Sequence, residues 1–421
     1  MKIGIQTWGS AGDTRPALAL GGELAARGHH VTAVVTPVDN RDYTNLAANL
    51  GIELRTLKSP FSSRTEMTAM APAIMGRTME YAQYRATLEL MLFSVEKEMT
   101  EAALRLAAEN DVLIGHLLVY PLGAAAAKLG KPYITHTLSD IAIPSAAYPP
   151  YNLHVVPAFF NRTAWRIADF AASQLFLKRI NRLRAELGVP PAKSFLREAV
   201  TSPLLNIVSA SAALCPPQAD WTGRHEVCGF FPVPHEKTDL PLAPAITEFI
   251  QAGPAPVFMG FGSMSDFDPD TKTLESVFTE AAAKAGVRAI IQLPHREPEL
   301  KGNVLIIGSA EHRAIAPHCM AMVHHGGAGT THTALLCGVP QIIVSHLADQ
   351  PYWGRIIHAK GLGPKHLSRA RLTAARLADR IKTVTTTPDF KTKAAQAAAF
   401  AQTEHGTALA ADLIERLING K

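Results

Sequence analysis

Short apolar runs alternate with helical patterns along most of this chain. Lys2 to Thr7 reads as a strand, Pro16 to Ala26 as a helix stopped at Gly28, and His30 to Thr36 as the next strand. Leu46 to Leu50 reads as helical and Gly51 to Leu54 as extended. Val112 to Gly115, Leu122 to Leu129 and Tyr133 to Thr135 then repeat strand, helix and strand. From Pro256 the alternation starts afresh, with a strand over Val257 to Phe261, a helix over Leu274 to Ala285, and strands over Arg288 to Gln292 and Val304 to Ile307. Two more strands follow, Met320 to Val323 and Gln341 to Val344. Such alternation predicts parallel sheets with right-handed crossovers, so the fold class is α/β.

The restart is preceded by the proline-rich interval Pro232 to Pro254, which reads as a semi-rigid linker. The expected divisions are residues 1–235, a linker at 236–254, a second domain at 255–390, and an alanine-rich helical tail at 391–421. A chain of 421 residues is long for a single core, which also favours two domains. Hydrophobic content of 47% with 18% charged residues fits a globular protein.

Gly9, Ser10, Asp13 and Arg15 interrupt the first apolar run, so no signal peptide is expected. The most apolar stretch, Val112 to Leu129, holds His116, Pro121 and Lys128 and reads as strand, loop and helix rather than as an integral membrane segment. Cys215, Cys228, Cys319 and Cys337 form no CxxC pair, which suits a reducing, cytoplasmic location. A net charge of +5 would attract an anionic small molecule or leave peripheral membrane contact open. The basic cluster Lys178 to Arg184 reads first as a solvated helix face, ahead of a lipid or nucleic-acid patch. No aromatics interleave with it, so no nucleic-acid partner is expected.

Two stretches break the alternation. Lys58 to Tyr84 holds Met67, Met70, Met75 and Met79; Ile141 to Phe160 holds four prolines with Tyr148, Tyr151, Phe159 and Phe160. They read equally as a covering layer of core helices or as an adaptable apolar pocket.

The richest stretch runs from Met322 to Trp353. An apolar approach ends in His324-His325, a small-residue turn Gly326-Gly327-Ala328-Gly329 follows, then Thr330-Thr331 and a helical pattern over Thr333 to Cys337. Glycines let backbone N–H groups approach an anion, and the following helix aims its positive dipole end there. Asp349-Gln350, after the next strand, are suited to reading hydroxyls. A metal reading of His312, His318, His324, His325 and His332 fails on spacing.

This stretch resembles the donor-binding motif of nucleotide-sugar glycosyltransferases with the GT-B fold, in particular sterol glucosyltransferases and those of glycopeptide and macrolide pathways. Asp349-Gln350-Pro351-Tyr352-Trp353-Gly354 looks most like the sterol group. Gly9 to Pro16, Leu214 to Phe231 and Val257 to Met264 extend the likeness over most of the chain.

The resemblance implies two Rossmann-like domains with parallel sheets facing across a cleft, the first binding acceptor and the second nucleotide-sugar, with the tail crossing back to the first. It implies that His325 and, five residues on, Thr330 hold a diphosphate beside Gly327 and Gly329, and that Asp349 and Gln350 hold the sugar. Ser263 and Ser309 are further donor-binding candidates. No metal or other cofactor is expected; a UDP- or TDP-sugar is the cosubstrate. Plant members stack the uracil on a tryptophan where Ile307-Gly308-Ser309 stands, and read the ribose with a glutamate where Thr333 stands. Both nucleobases therefore stay in play, with UDP favoured by the sterol-like run.

The resemblance also moves the methionine- and proline-rich stretches toward a lipophilic acceptor site, with Met67, Met75, Met79, Tyr148 and Phe159 as candidates. Attack by an acceptor alcohol needs a base, and Asp13 stands in the first βα loop where relatives carry a catalytic aspartate or histidine. The plainer reading is that Asp13 caps a helix starting near Arg15 or Pro16. The expected enzyme is an inverting O-glycosyltransferase, or hexosyltransferase. Its rivals are a nucleotide-sugar 2-epimerase and a non-catalytic nucleotide-sugar-binding homologue. Oligomeric state is not readable.

Overall fold

The computed structural model describes residues 1–420 apart from 76–79, 152–156, 222, 234–241, 267–269 and 309. Ser309 and Met79 therefore lie outside the described residues, as do the side chains of Ser263 and Met75.

The chain divides into two compact units. The first unit comprises Met1–Ser62, Glu89–Pro234 and Glu404–Lys421; the second comprises Ser63–Leu88 and His235–Thr403. In the first, strands β1 (Lys2–Gly9), β2 (His30–Pro37), β3 (Glu53–Thr56), β4 (Val112–His116), β5 (Tyr133–Thr137), β6 (Leu205–Val208) and β7 (His225–Val227) form one sheet. Its order is β3-β2-β1-β4-β5-β6-β7. Every pairing is parallel, with Lys2 opposite His30 and Ile3 opposite Val112. Strands buried on both faces must be apolar almost throughout, and β1 buries every residue but its first.

The second unit repeats the plan with β8 (Val257–Met259), β9 (Ala289–Gln292), β10 (Glu299–Lys301), β11 (Val304–Ile307), β12 (Ala321–His324), β13 (Gln341–Ser345) and β14 (Leu367–Ser368). The order is β10-β11-β9-β8-β12-β13-β14, parallel except for the edge pair β10–β11. In each sheet the first strand is central and the winding reverses beside it, between β1 and β4 and between β8 and β12. At such a reversal the loops leaving the two strands diverge and open a crevice at their carboxyl ends.

The core of the first unit joins Ile3, Ile5, Leu18, Leu24, Val31, Ile114 and Ile207 with Ala410, Ala411 and Ile414 from the helix Gly406–Ile418. The chain's last helix is thus part of its first core. The second core centres on Phe258, Ile290, Leu305 and Met322, and takes Ile246 and Phe249 from the helix Pro244–Gln251. Part of the proline-rich interval is therefore packed helix: its proline sits in the first turn, where a missing N–H costs nothing.

Three elements differ from the sequence pattern. The first helix runs Ala11–Ala26, not from Pro16, because Ser10 and Asp13 form a capping box that starts it earlier. The alanine-rich tail is two helices, Pro388–Ala401 and Gly406–Ile418, broken around Thr403 to His405. The strands β6, β7 and β14 are too short to stand out as apolar runs.

Arg27 ties the last helix to the first. It donates to Asp412 at 2.6 Å, Glu415 at 3.0 Å, Glu23 at 2.9 Å and the Ala408 carbonyl at 3.1 Å. Four charge-assisted bonds on one partly buried guanidinium exceed the worth of a solvent-exposed pair. Arg27→Ala is expected to cost about 1–3 kcal/mol of stability. An unchanged midpoint in chemical denaturation would show that the last helix is held by its apolar face alone.

Candidate functional site

The second sheet gathers most of the sequence-predicted polar residues at its carboxyl edge. His325 follows β12, Gly262 follows β8, and Asp349 and Gln350 follow β13. The turn after β12 is fixed from below by His324, which is fully buried. The Gly326 amide donates to His324 Nδ1 at 3.1 Å, so Nε2 carries the proton and donates to Gln341 Oε1 at 3.0 Å. Gln341 Nε2 donates in turn to the Thr331 carbonyl at 3.1 Å. His324 therefore packs beneath the loop and is spent there.

His325 is different. Its side chain is 6% exposed, and Nδ1 is buried with no hydrogen-bond partner among the described residues. Burial holds its pKa well below the usual histidine value, and the neighbouring His324, His346 and His312 push the same way. The ring is neutral at pH 7, so it offers a hydrogen bond rather than a charge. A buried orphaned ring nitrogen costs about 1–3 kcal/mol, which a bound polar group would remove. The ring lies against the next turn so closely that a Cβ on Gly327 would sit 2.4 Å from His325 Nε2. Only glycine fits there.

The helix following this turn runs Ala328–Leu336, starting five residues before its apolar pattern begins, with Gly327 as its N-cap. Gly327, Gly329 and Thr330 in its first turn are half-buried, and no side chain caps its amino end. Thr331 Oγ1 is buried without a partner. Donor N–H groups and a positive dipole end thus converge on the place beside His325.

One strand further, Ala348 adopts a left-handed φ of 55°, a conformation costly for a residue with a Cβ. This bend delivers Asp349 and Gln350. Asp349 Oδ2 accepts from Trp353 Nε1 at 2.8 Å, and Trp353 is wholly buried against His332. Gln350 Oε1 accepts from the His346 and Leu347 amides at 2.7 and 3.2 Å, so its carbonyl end is committed to the loop. His346 was not singled out by sequence. It packs edge-on against Phe261 at 4.6 Å with Nδ1 donating to the Val344 carbonyl, and its nearness to the Asp349-Gln350 pair was the available signal.

In the first unit, Asp13 lies at the equivalent crevice. It is the third helical residue rather than the N-cap, and it closes the capping box with Oδ2 accepting from the Ser10 amide at 2.8 Å and the Ser10 hydroxyl at 3.2 Å. Gly9, at φ 137°, makes this fold-back feasible: a Cβ there would stand 2.3 Å from Asp13 Oδ2. His116, ending β4, approaches Asp13 Oδ1 at 3.7 Å through Nε2. Its Nδ1 accepts from the Leu118 amide at 3.3 Å, so Nε2 bears the proton, and burial lowers the pKa to about 4. A neutral N–H therefore faces the carboxylate.

The acceptor candidates do not form one cluster within a unit. Tyr148 and Phe159 belong to the first unit; Met67 groups with the second and is 3% exposed. The Tyr148 hydroxyl donates to the Ile143 carbonyl at 3.0 Å, and its ring meets Trp165 and Trp221 edge-on. Phe159 is 78% exposed against Phe160.

Known proteins align with this arrangement. The profile of the family "Erythromycin biosynthesis protein CIII-like, C-terminal domain" matches residues 280–416. Glycosyltransferase GtfE of Amycolatopsis orientalis is 29% identical over 98% of this chain and 97% of its own length. The O-mycaminosyltylonolide 6-deoxyallosyltransferase of Streptomyces fradiae is 27% identical over 99% and 97%. A sterol 3-beta-glucosyltransferase of Arabidopsis thaliana is 27% identical over 99% of this chain and 68% of its own. Among solved structures, the glycotransferase of kitacinnamycin superposes with a TM-score of 0.71 at 21% identity, covering 99% of this chain and 98% of that one. The Streptomyces glycosyltransferase SsfS6, complexed with thymidine diphosphate, gives 0.66 at 19% identity over 99% of both. The chain is a glycosyltransferase with the GT-B fold, similar in sequence to glycosyltransferases of natural-product and sterol type.

Burial pushes the Asp349 carboxyl up to about 6, against the opposing hydrogen bond from Trp353. Its folded value lies above the unfolded 3.8, so the folded state holds the proton more tightly. The stability this contributes is complete at pH below about 4 and is lost as pH rises through about 6. Asp349→Asn, which keeps an acceptor for Trp353, is expected to stabilise the protein by about 1–2 kcal/mol at pH 8 and by almost nothing at pH 4. Melting curves at the two pH values check this; equal shifts at both would mean Asp349 is ionised throughout.

Proposed function

We propose that this enzyme moves a hexose from a UDP- or TDP-sugar to a hydroxyl of a lipophilic small molecule, with inversion at the anomeric carbon. The observation that carries the reading is His325: a buried, neutral imidazole with an unpartnered nitrogen at the uncapped head of the helix Ala328–Leu336. A diphosphate satisfies that combination. It accepts the imidazole proton, the Thr330 hydroxyl and the first-turn amides, and its charge meets the helix dipole. These groups stabilise the leaving diphosphate without a metal. Asp349 and the amide end of Gln350 bind sugar hydroxyls, and Ser263 and Ser309 are kept from the sequence pattern as further donor contacts.

Asp13 acts as the base. An aliphatic alcohol is too weak an acid for a carboxylate to deprotonate beforehand, so the proton passes to Asp13 as oxygen attacks carbon from the face opposite the diphosphate. Ser10 and His116 hold Asp13 in place, with its Oδ2 committed to Ser10. The names of the relatives, which include a macrolide-type 6-deoxyallosyltransferase and a sterol glucosyltransferase, support a lipophilic acceptor, and the thymidine diphosphate complex supports TDP alongside UDP. Tyr148 in the first unit remains a proposed acceptor contact, and the methionine-bearing helix Arg64–Met75 one in the second; Phe159, at 78% exposed, is not kept among them.

Nucleotide release from UDP-glucose and TDP-glucose with a panel of lipophilic alcohols tests the reading; no turnover with any nucleotide-sugar would refute it. His325→Ala is expected to raise the donor KM and lower kcat, a loss of about 2–4 kcal/mol of transition-state stabilisation. Wild-type turnover in that variant would shift the diphosphate to other groups.

Asp13→Asn keeps the shape and the helix start, so folding should be nearly unchanged. Its kcat is expected to fall roughly 10²–10⁴-fold with an aliphatic alcohol, and less with a phenol, which is more acidic. An equal loss with both acceptors would assign Asp13 to positioning instead.

A further inference from the structure

The basic cluster that stands out in sequence, Lys178 to Arg184, is partly consumed by the fold. Arg179 pairs with Glu96 at 2.5 Å and stacks on Phe93 at 4.3 Å, while Arg184 donates to the Pro190 carbonyl at 2.6 Å. Lys178, at the start of that cluster, belongs instead to a second cationic surface. Arg166 and Lys178 from the helix Asn161–Glu186 converge with Lys193 and Arg197 around a surface groove of about 630 Å³, also lined by Phe170 and Leu177. None of the four cations makes an ion pair among the described residues. The acidic residue in the lining, Asp169, is already engaged by the Ser194 hydroxyl at 2.6 Å and the Leu196 amide at 2.9 Å.

Beside the groove the same helix and the turn before it expose large apolar side chains: Phe159 at 78%, Phe170 at 67%, Ile167 at 62%, Phe160 at 48% and Leu175 at 43%. Ile167, Phe170 and Gln174 follow one another at three- and four-residue spacing on the outer face, with Arg166 and Lys178 flanking them. A solvated helix face has no reason to carry phenylalanines in water, and a core helix would bury them. Apolar side chains flanked by cations are the pattern of a helix lying in a lipid interface, its rings at the acyl boundary and its cations at the phosphates.

We propose that the outer face of the helix Asn161–Glu186, with the Arg166–Lys178–Lys193–Arg197 groove beside it, docks the protein on an anionic phospholipid bilayer. Charge decides against a second copy of this chain, because a two-fold contact through this face would set four cations against four. The same excess fits a phosphate-bearing surface, with the groove taking a headgroup phosphate while Phe159, Ile167 and Phe170 enter the boundary layer. A lipophilic substrate dissolved in that bilayer would then reach the enzyme without crossing water.

The test is co-sedimentation of the full chain with vesicles of phosphatidylcholine, with and without phosphatidylglycerol. Binding is expected only with phosphatidylglycerol, and it should weaken as salt is raised. Phe159→Ser and Phe170→Ser should each weaken binding roughly tenfold, and Arg166→Gln and Lys193→Gln about fivefold each. All four residues serve surface positions, so melting temperatures should stay at the wild-type value and exclude misfolding as the cause. Equal binding to both vesicle types, no binding to either, or undiminished binding by the double Phe variant would overturn the proposal. A concentration-dependent dimer abolished by Phe170→Ser, with no vesicle binding, would overturn it in favour of self-association.

Discussion

The second unit's site depends on one buried hydrogen-bond chain. The Gly326 amide, His324, Gln341 and the Thr331 carbonyl are joined end to end beneath the turn that follows β12. Each member is buried and each bond is internal, so the turn cannot slide without stranding a polar group away from water. That rigidity lets a neutral imidazole be held above it with a nitrogen unmet. It also fixes where the next helix begins, and therefore where its dipole points. Two adjacent histidines share a residue type and differ completely in employment: His324 builds the floor and His325 faces what stands on it.

The two units solve the same local problem with different chemistry. Each puts its candidate site residues where the winding of a parallel sheet reverses, after β1 and β4 in one and after β8 and β12 in the other. In the second, glycines and a neutral ring leave room for an anion. In the first, the corresponding turn is filled by a carboxylate that folds back over Gly9 and is faced by the N–H of His116. Both sites use uncharged donors where lysine or arginine would be cruder. A fixed N–H in a dry site needs no counter-ion when nothing is bound.

Much of this was legible before any coordinates. Alternating apolar runs located most of the long strands to within a residue or two, since a strand buried on both faces must be apolar along its length. The diphosphate role of His325 and Thr330 comes from the family resemblance and stands as a proposal, whereas the restart at Pro256 was visible in the apolar pattern. Other features were not, for physical reasons. The helix starts at Ala11 and Ala328 lie in polar or small residues that carry no periodicity, and are set by a capping box and by the Gly327 turn. The left-handed bend at Ala348 falls on a residue type that rarely adopts it, so it leaves no mark in composition. The contact between Asp13 and His116 joins residues a hundred positions apart, so only the sheet order brings it out. The Lys178 to Arg184 run, conspicuous as a charge cluster, divides in the fold: Arg179 and Arg184 serve internal bonds while Lys178 and Arg182 stay at the surface.

The helix Gly406–Ile418 completes the apolar core begun by Ile3, Leu18 and Val31. A ribosome delivers those pieces at opposite ends of its task. The second unit has nearly all its residues by Thr403, whereas the first must wait for the last helix although it was started first. During synthesis the older half is therefore the unfinished one, with the Leu18 and Leu24 face of its opening helix still uncovered while the younger half is ready to close. Order of birth and order of completion are reversed. A chaperone that shields apolar surface during synthesis is expected to engage the amino-terminal unit longest.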